Sequence, residues 1–131
     1  MSKIPKKTKY ELKIGKSNSG LGLFATEEIP KAEFVIEYFG EYLSEEQTNE
    51  KCGKYLFKVD KKTTIDGSAR SNIARYVNHS CKPNCEAILE GKRIFIYSKR
   101  KIKAGEEITY HYGKEYYEDV IKPMGCKCGN H

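Results

Sequence analysis

The sequence predicts a mainly β domain, a β-rich α+β fold, and three observations point to it. Runs rich in Val, Ile, Tyr and Phe recur along the chain, bounded by Gly, Asn, Ser or Pro. One capping box, Ser44 to Gln47, marks the start of a short helix. A length of 131 residues suits one domain with a modest core and leaves no room for two enzymatic domains.

The elements follow in order. Residues 1–9 are basic and without periodicity, which predicts a flexible or edge-lying arm. Tyr10–Ile14 alternates polar and apolar residues, the pattern of a half-buried strand. Gly15–Gly20 is rich in Ser, Asn and Gly and predicts a turn. Gly20–Ala25 reads as a glycine loop. It fits the dinucleotide fingerprint G-x-G-x-x-A literally, but that motif opens a helix, and Pro30 would stop such a helix within a turn. Phe34–Glu41 is a run of β formers, and the helix opened by Ser44 should end near Cys52 and Gly53. Tyr55–Val59 and Ile65–Gly67 predict two further strands. Ala87–Leu89 and Arg93–Tyr97 form a hairpin turning at Gly91.

Asn72–Cys85, read NIARYVNHSCKPNC, is the densest stretch. Ile73, Ala74, Tyr76 and Val77 give it an apolar face, yet Asn78, His79, Cys81, Asn84 and Cys85 follow at once. Buried amides and imidazoles need partners, so so many together point to a site. A turn with a satisfied histidine and two inert thiols accounts for the same residues.

Charge and cysteine count bound the function. The net charge is +6, with Lys3, Lys6, Lys7 and Lys9 at one end and Lys99, Arg100, Lys101 and Lys103 clustered later. That balance permits contact with nucleic acid, but solvated faces are the favoured explanation, and the cluster lacks the interleaved aromatics of a single-strand platform. Five cysteines, with Cys126 and Cys128 as a C-x-C pair, suit metal binding in a reducing compartment better than a disulfide framework. With no apolar run of membrane length and no signal-peptide pattern, the chain is expected to be soluble and intracellular, in nucleus or cytoplasm.

The stretch from Arg75 to Asn84 resembles the signature of the SET-domain protein lysine methyltransferases, roughly R-[FY]-[IVM]-N-H-S-C-x-P-N. Four more segments are similar to that family's motifs, in its order: Gly20–Ala25, the EYFGE run at Glu37–Glu41, Tyr55–Asp60 and Gly105–Tyr112. The resemblance covers about residues 8–128 and implies a fold of small sheets with a knot-like crossing of the NHSC and Gly105–Tyr112 segments. It places the SET domain over 10–113 and a partial post-SET segment over 114–131.

The same resemblance implies an S-adenosylmethionine-dependent methyltransferase acting on lysine of a histone or another protein. Leu21, Gly22, Leu23, Tyr55, Asn78 and His79 would hold the cofactor, with glycine allowing its close approach. Tyr112 matches the catalytic tyrosine. Tyr38 and Tyr110 would face the target amine, and Phe57 would line the lysine channel. A tyrosine at Tyr110 implies a monomethylating enzyme. Zinc would be held by Cys81, Cys126 and Cys128, but the third post-SET cysteine falls beyond His131. Three readings stay open: the chain is cut short, His131 substitutes, or no zinc binds. Cys52 and Cys85 match no ligand and read as ordinary thiols. Two rivals remain, a catalytically silent SET-like binding module and a small zinc-dependent nucleic-acid binder.

Overall fold

The computed structural model describes residues 6–18, 20–50 and 55–112. Ten strands, a one-and-a-half-turn helix and a 3-10 turn build three small sheets. The first sheet holds β1 (Leu12–Ser17), β2 (Gly20–Ala25), β10 (Glu107–Tyr110) and β7 (Asn78–His79), in the order β1-β2-β10-β7. The second holds β3 (Phe34–Tyr38), β9 (Arg93–Ser98) and β8 (Cys85–Glu90), in the order β3-β9-β8. The third holds β4 (Glu41–Ser44), β6 (Thr63–Asp66) and β5 (Leu56–Lys58), in the order β4-β6-β5.

The core lies where the sheets meet. Leu23, Ile29, Val35, Ile65, Val77, Ile94, Ile96, Ile102 and Ile108 are fully buried together. β-branched residues dominate that set because they pack well on a pleated surface. Cys85 joins them, and burial pushes its thiol up to about 12, so it behaves as a small apolar residue.

The predicted elements are present, with three differences. Gly15–Gly20 is not all turn: β1 runs on to Ser17, and Gly15 pairs with Gly22. The Phe24 ring lies over Gly15, covering a strand position that has no side chain of its own. Gly20–Ala25 is a strand rather than a glycine loop, held between β1 and β10. Phe34–Glu41 is two strands in two sheets, not one run. The break falls at Gly40, where a Cβ would overlap the Asp66 carbonyl, and the Phe39 N–H freed there donates to Asn72 Oδ1 at 3.2 Å.

The capping box forms as expected and opens α1 (Glu45–Glu50). Ser44 N–H donates to Gln47 Oε1 at 2.8 Å, and Gln47 N–H donates to Ser44 Oγ at 3.2 Å. Its predicted end at Cys52–Gly53 lies outside the described residues. The β8–β9 hairpin turns at Gly91, whose φ of 63° belongs to the left-handed region. Residues of the basic arm lie against the second sheet: Lys6 N–H donates to the buried Glu37 at 2.7 Å, and Lys9 Nζ sits 2.9 Å from Glu33.

One pairing is parallel. Thr109 lies opposite Asn78 and Tyr110 opposite His79. Parallel neighbours need a long crossover, and here it runs through the β8–β9 hairpin in another sheet. Asn84 braces the crossing. Its Nδ2 donates to Glu107 O at 2.7 Å, and its Oδ1 accepts from Thr109 N–H at 2.9 Å, so a side chain serves β10 as a neighbouring strand would. Asn84→Ala would leave a buried donor and acceptor unmet. It should cost about 2–4 kcal/mol of unfolding free energy, measured by denaturant titration.

Candidate active site

The predicted channel residues come together from three strands and the segment that follows the last of them. Tyr38 ends β3, Phe57 sits in β5, Tyr110 ends β10, and Tyr112 follows two residues later. Their rings follow one another in contact: Tyr38 to Phe57 at 5.3 Å, Phe57 to Tyr110 at 6.2 Å and nearly parallel, Tyr110 to Tyr112 at 5.1 Å. Tyr38 and Tyr110 are 5% exposed, while Phe57 and Tyr112 are partly open, so covered and accessible rings alternate along the run.

Two of the phenols have fixed protons. Tyr112 Oη donates to Val77 O at 2.7 Å, and Tyr38 Oη donates to Tyr55 O at 2.6 Å. A phenol oxygen can accept a hydrogen bond as well as donate one. Burial, with smaller contributions from neighbouring Tyr112 and Asp66, pushes the Tyr38 phenol well above its ordinary value. It is therefore neutral across the physiological range and acts as a hydrogen-bonding group, not as a base.

His79 fixes the position of Tyr112. Its Nδ1 accepts the Tyr112 backbone N–H at 3.1 Å, so Nδ1 carries no proton and the proton of the neutral ring lies on Nε2. Nε2 faces Cys81 Sγ at 3.5 Å. The ring is 7% exposed and packs against His111 at 4.5 Å and Tyr112 at 5.4 Å. His79 thus positions the segment carrying Tyr112.

The predicted cofactor residues divide. Leu21, Gly22 and Asn78 form one group. Asn78 Nδ2 donates to Leu21 O at 2.9 Å, and Leu21 itself is 52% exposed. The space beside Gly22 where a Cβ would project is filled by the Glu107 carboxylate and Ser17. Leu23 packs wholly in the core. Tyr55 stacks on Arg75, whose guanidinium lies 4.6 Å from the ring, while its carbonyl receives Tyr38.

Two residues that sequence reasoning did not weigh complete the site. Gly67 N–H donates to Tyr55 O at 2.8 Å, beside the Tyr38 hydroxyl, and a Cβ on Gly67 would overlap the Tyr38 ring. Glu107 joins Asn78, Ser17 and Gly22. An Ile-Asp-Gly run reads as an ordinary strand end, and a Glu on a half-buried strand reads as solvent-facing. Only the three-dimensional neighbours expose either role.

Of the expected zinc ligands, Cys81 is half-buried beside His79. Cys126 and Cys128, like His131, lie outside the described residues. No group of three or more potential ligands occurs among the described residues. The basic cluster is partly neutralised: Arg100 pairs with Glu106 at 2.5 Å and Lys101 with Glu28 at 3.1 Å. Among the described residues, no helix is long and apolar enough to cross a membrane.

The Gly67 contact yields a direct test. Gly67→Ala should force the Tyr38 ring from its place, lower the melting temperature and disturb the aromatic lining. A crystal structure of the variant with Tyr38 unmoved would show that the glycine is not what seats it.

Comparison with known proteins follows the same lines. Residues 20–113 match the family profile of the SET domain. The histone-lysine N-methyltransferase set1 of Dictyostelium discoideum is 44% identical over 119 residues, covering 81% of this chain and 8% of that protein. The histone-lysine N-methyltransferase trithorax of Drosophila virilis is 41% identical over 123 residues, covering 85% of this chain and 3% of its own length. An H3 lysine-4 specific histone-lysine N-methyltransferase of Schizosaccharomyces pombe is 41% identical over 138 aligned positions, 95% of this chain and 15% of that protein. The chain spans 15% or less of each of these relatives.

Proposed function

We propose, because this chain belongs to the SET-domain family, that it carries out S-adenosylmethionine-dependent methylation of protein lysine, with a histone tail as the first substrate to test. The observation that carries this reading is the aromatic run Tyr38–Phe57–Tyr110–Tyr112, with the phenol protons of Tyr38 and Tyr112 held on backbone carbonyls. A histone substrate would place the chain in the nucleus.

The residues present fit the cofactor's chemistry. Asn78 Oδ1 has no partner among the described residues, so the lining offers the cofactor an uncharged acceptor. Such a lining suits a ligand bearing an ammonium and a sulfonium. When bound, S-adenosylmethionine supplies an electrophilic methyl group.

The chain's own residues must do the rest. A lysine amine is protonated at neutral pH, its ordinary pKa being about 10.4, and only the neutral form attacks. Phe57, Tyr38 and Tyr110 keep bulk water out, which disfavours the charged amine. The Tyr112 oxygen, with its own proton on Val77 O, can only accept. It therefore holds the amine's remaining N–H and aims the lone pair, which is positioning rather than general-base work.

The finer part of the proposal concerns product. Tyr110 is buried beside Phe57 and Tyr112, and a phenol there can hold a water in the volume that a second methyl would need. Expelling that water would cost on the order of 1–2 kcal/mol, about ten-fold in rate, which limits the product to monomethyl-lysine. For the metal, the proposal is zinc on Cys81, Cys126 and Cys128. About one equivalent by metal analysis, lost in Cys126→Ser, would support it, and folded protein without zinc would reject it.

One set of assays tests the reaction. Labelled cofactor and histone peptides, followed by mass spectrometry, should give mainly monomethyl-lysine. Tyr110→Phe should shift product to di- and trimethyl-lysine. Tyr112→Phe should keep cofactor affinity and lose about 100-fold in kcat. A wild-type protein that binds no cofactor would instead be a silent binding module, and abundant trimethyl-lysine from it would remove the role given to Tyr110.

A further inference from the structure

We infer that Glu107 is a positioning residue that locks the Asn78 amide, and that Gly22 is a glycine to make room for Glu107. The inference rests on the cofactor reading above only in what the locked amide is used for.

The lock follows from valence. Asn78 Nδ2 has two N–H donors and three neighbours: Glu107 Oε2 at 2.8 Å, Leu21 O at 2.9 Å and Ser17 Oγ at 3.3 Å. A carboxylate and a backbone carbonyl can only accept, so the two shorter contacts take both donors. Ser17 Oγ donates its own proton to Glu107 Oε1 at 2.9 Å and makes only the longer contact to Asn78. Turning the amide over would set its oxygen against two acceptors. The orientation is therefore fixed, and Oδ1 is left as a half-buried acceptor without a partner among the described residues.

Glu107 meets Asn78 from β10, the strand between β2 and β7. It stands on β10 opposite Phe24, and its carboxylate passes over Gly22. A Cβ on Gly22 would overlap Oε2 and would lie 3.0 Å from Ser17 Cβ. Three strands thus meet on one carboxylate: β1 through Ser17, β2 through Gly22 and β7 through Asn78. The negative charge behind the amide also polarises it, making Oδ1 a better acceptor for a cationic donor such as the cofactor's ammonium.

Two arms test this, the first without cofactor. In the free protein, NMR should show the Asn78 side-chain amide protons shifted and exchanging slowly, and both features should disappear in Glu107→Ala and persist in Glu107→Gln. Glutamine can accept from Asn78 and donate to Ser17. Asn78 protons that exchange as freely as an exposed asparagine's would overturn the inference, whatever the protein binds.

The second arm titrates S-adenosylmethionine by calorimetry. Glu107→Ala should weaken binding roughly ten- to a hundred-fold, with Glu107→Gln recovering most of it. Gly22→Ala should weaken binding in the wild type and add little in the Glu107→Ala background, apart from its tight contact with Ser17. Equal losses from Gly22→Ala in both backgrounds would mean that the glycine serves the ligand directly, which overturns the inference. A wild type with a locked amide and no cofactor binding would instead refute the proposed function and leave the lock standing.

Discussion

The parallel pairing of β7 with β10 is the constraint on which the site depends. It is only two residues long, Asn78 with Thr109 and His79 with Tyr110. A ladder so short cannot hold itself, and the chain adds bonds at both ends. Ser80 N–H donates to Tyr110 O at 3.2 Å, Tyr112 N–H to His79 Nδ1 at 3.1 Å, and Tyr112 Oη to Val77 O at 2.7 Å. Asn84 adds two more on β10 itself. A slip of one residue would turn Tyr110 out of the core and uncouple His79 from Tyr112, because side chains alternate along a strand. The NHSCKPN run therefore combines a strand with the fittings that fix its register.

That dual role explains how much of the fold and site was legible in the sequence. The hairpin about Gly91 and the helix at Ser44 were readable because turn chemistry and capping are local. The breaks were not. Phe34–Glu41 is uniformly rich in β formers, and only the approach of Asp66 to Gly40 divides it. Gly15 and Gly22 look like turn residues, but their pairing across β1 and β2 makes them places where Phe24 and Glu107 lie over the sheet. Glycine marks a missing Cβ, and the sequence does not say what fills the space.

The aromatic residues show the same limit. Resemblance to a family singled out Tyr38, Phe57, Tyr110 and Tyr112, and the structure brings their rings together. Periodicity could not have done so, since they come from three sheets' worth of sequence and a strand's trailing end. Their anchors are backbone carbonyls, Tyr55 O and Val77 O, which no residue identity announces. Gly67 is invisible for the same reason: it matters through the ring that it leaves room for.

The charges are arranged in keeping with a lining of neutral acceptors. Glu37, 4% exposed, is held by Arg93 at 2.6 and 2.9 Å and by Lys6 N–H. Glu107 stands one residue back, behind Asn78. A carboxylate in direct contact with a lysine amine would favour the ammonium, the form that cannot attack. Phenol and carbonyl oxygens also accept from an amine, but without a full charge they favour its protonation less. Tying Glu37 to Arg93 and Lys6, and Glu107 to Asn78 and Ser17, lets one fold retain these acids for its architecture and still present uncharged oxygens where the proposed reaction requires a neutral nucleophile.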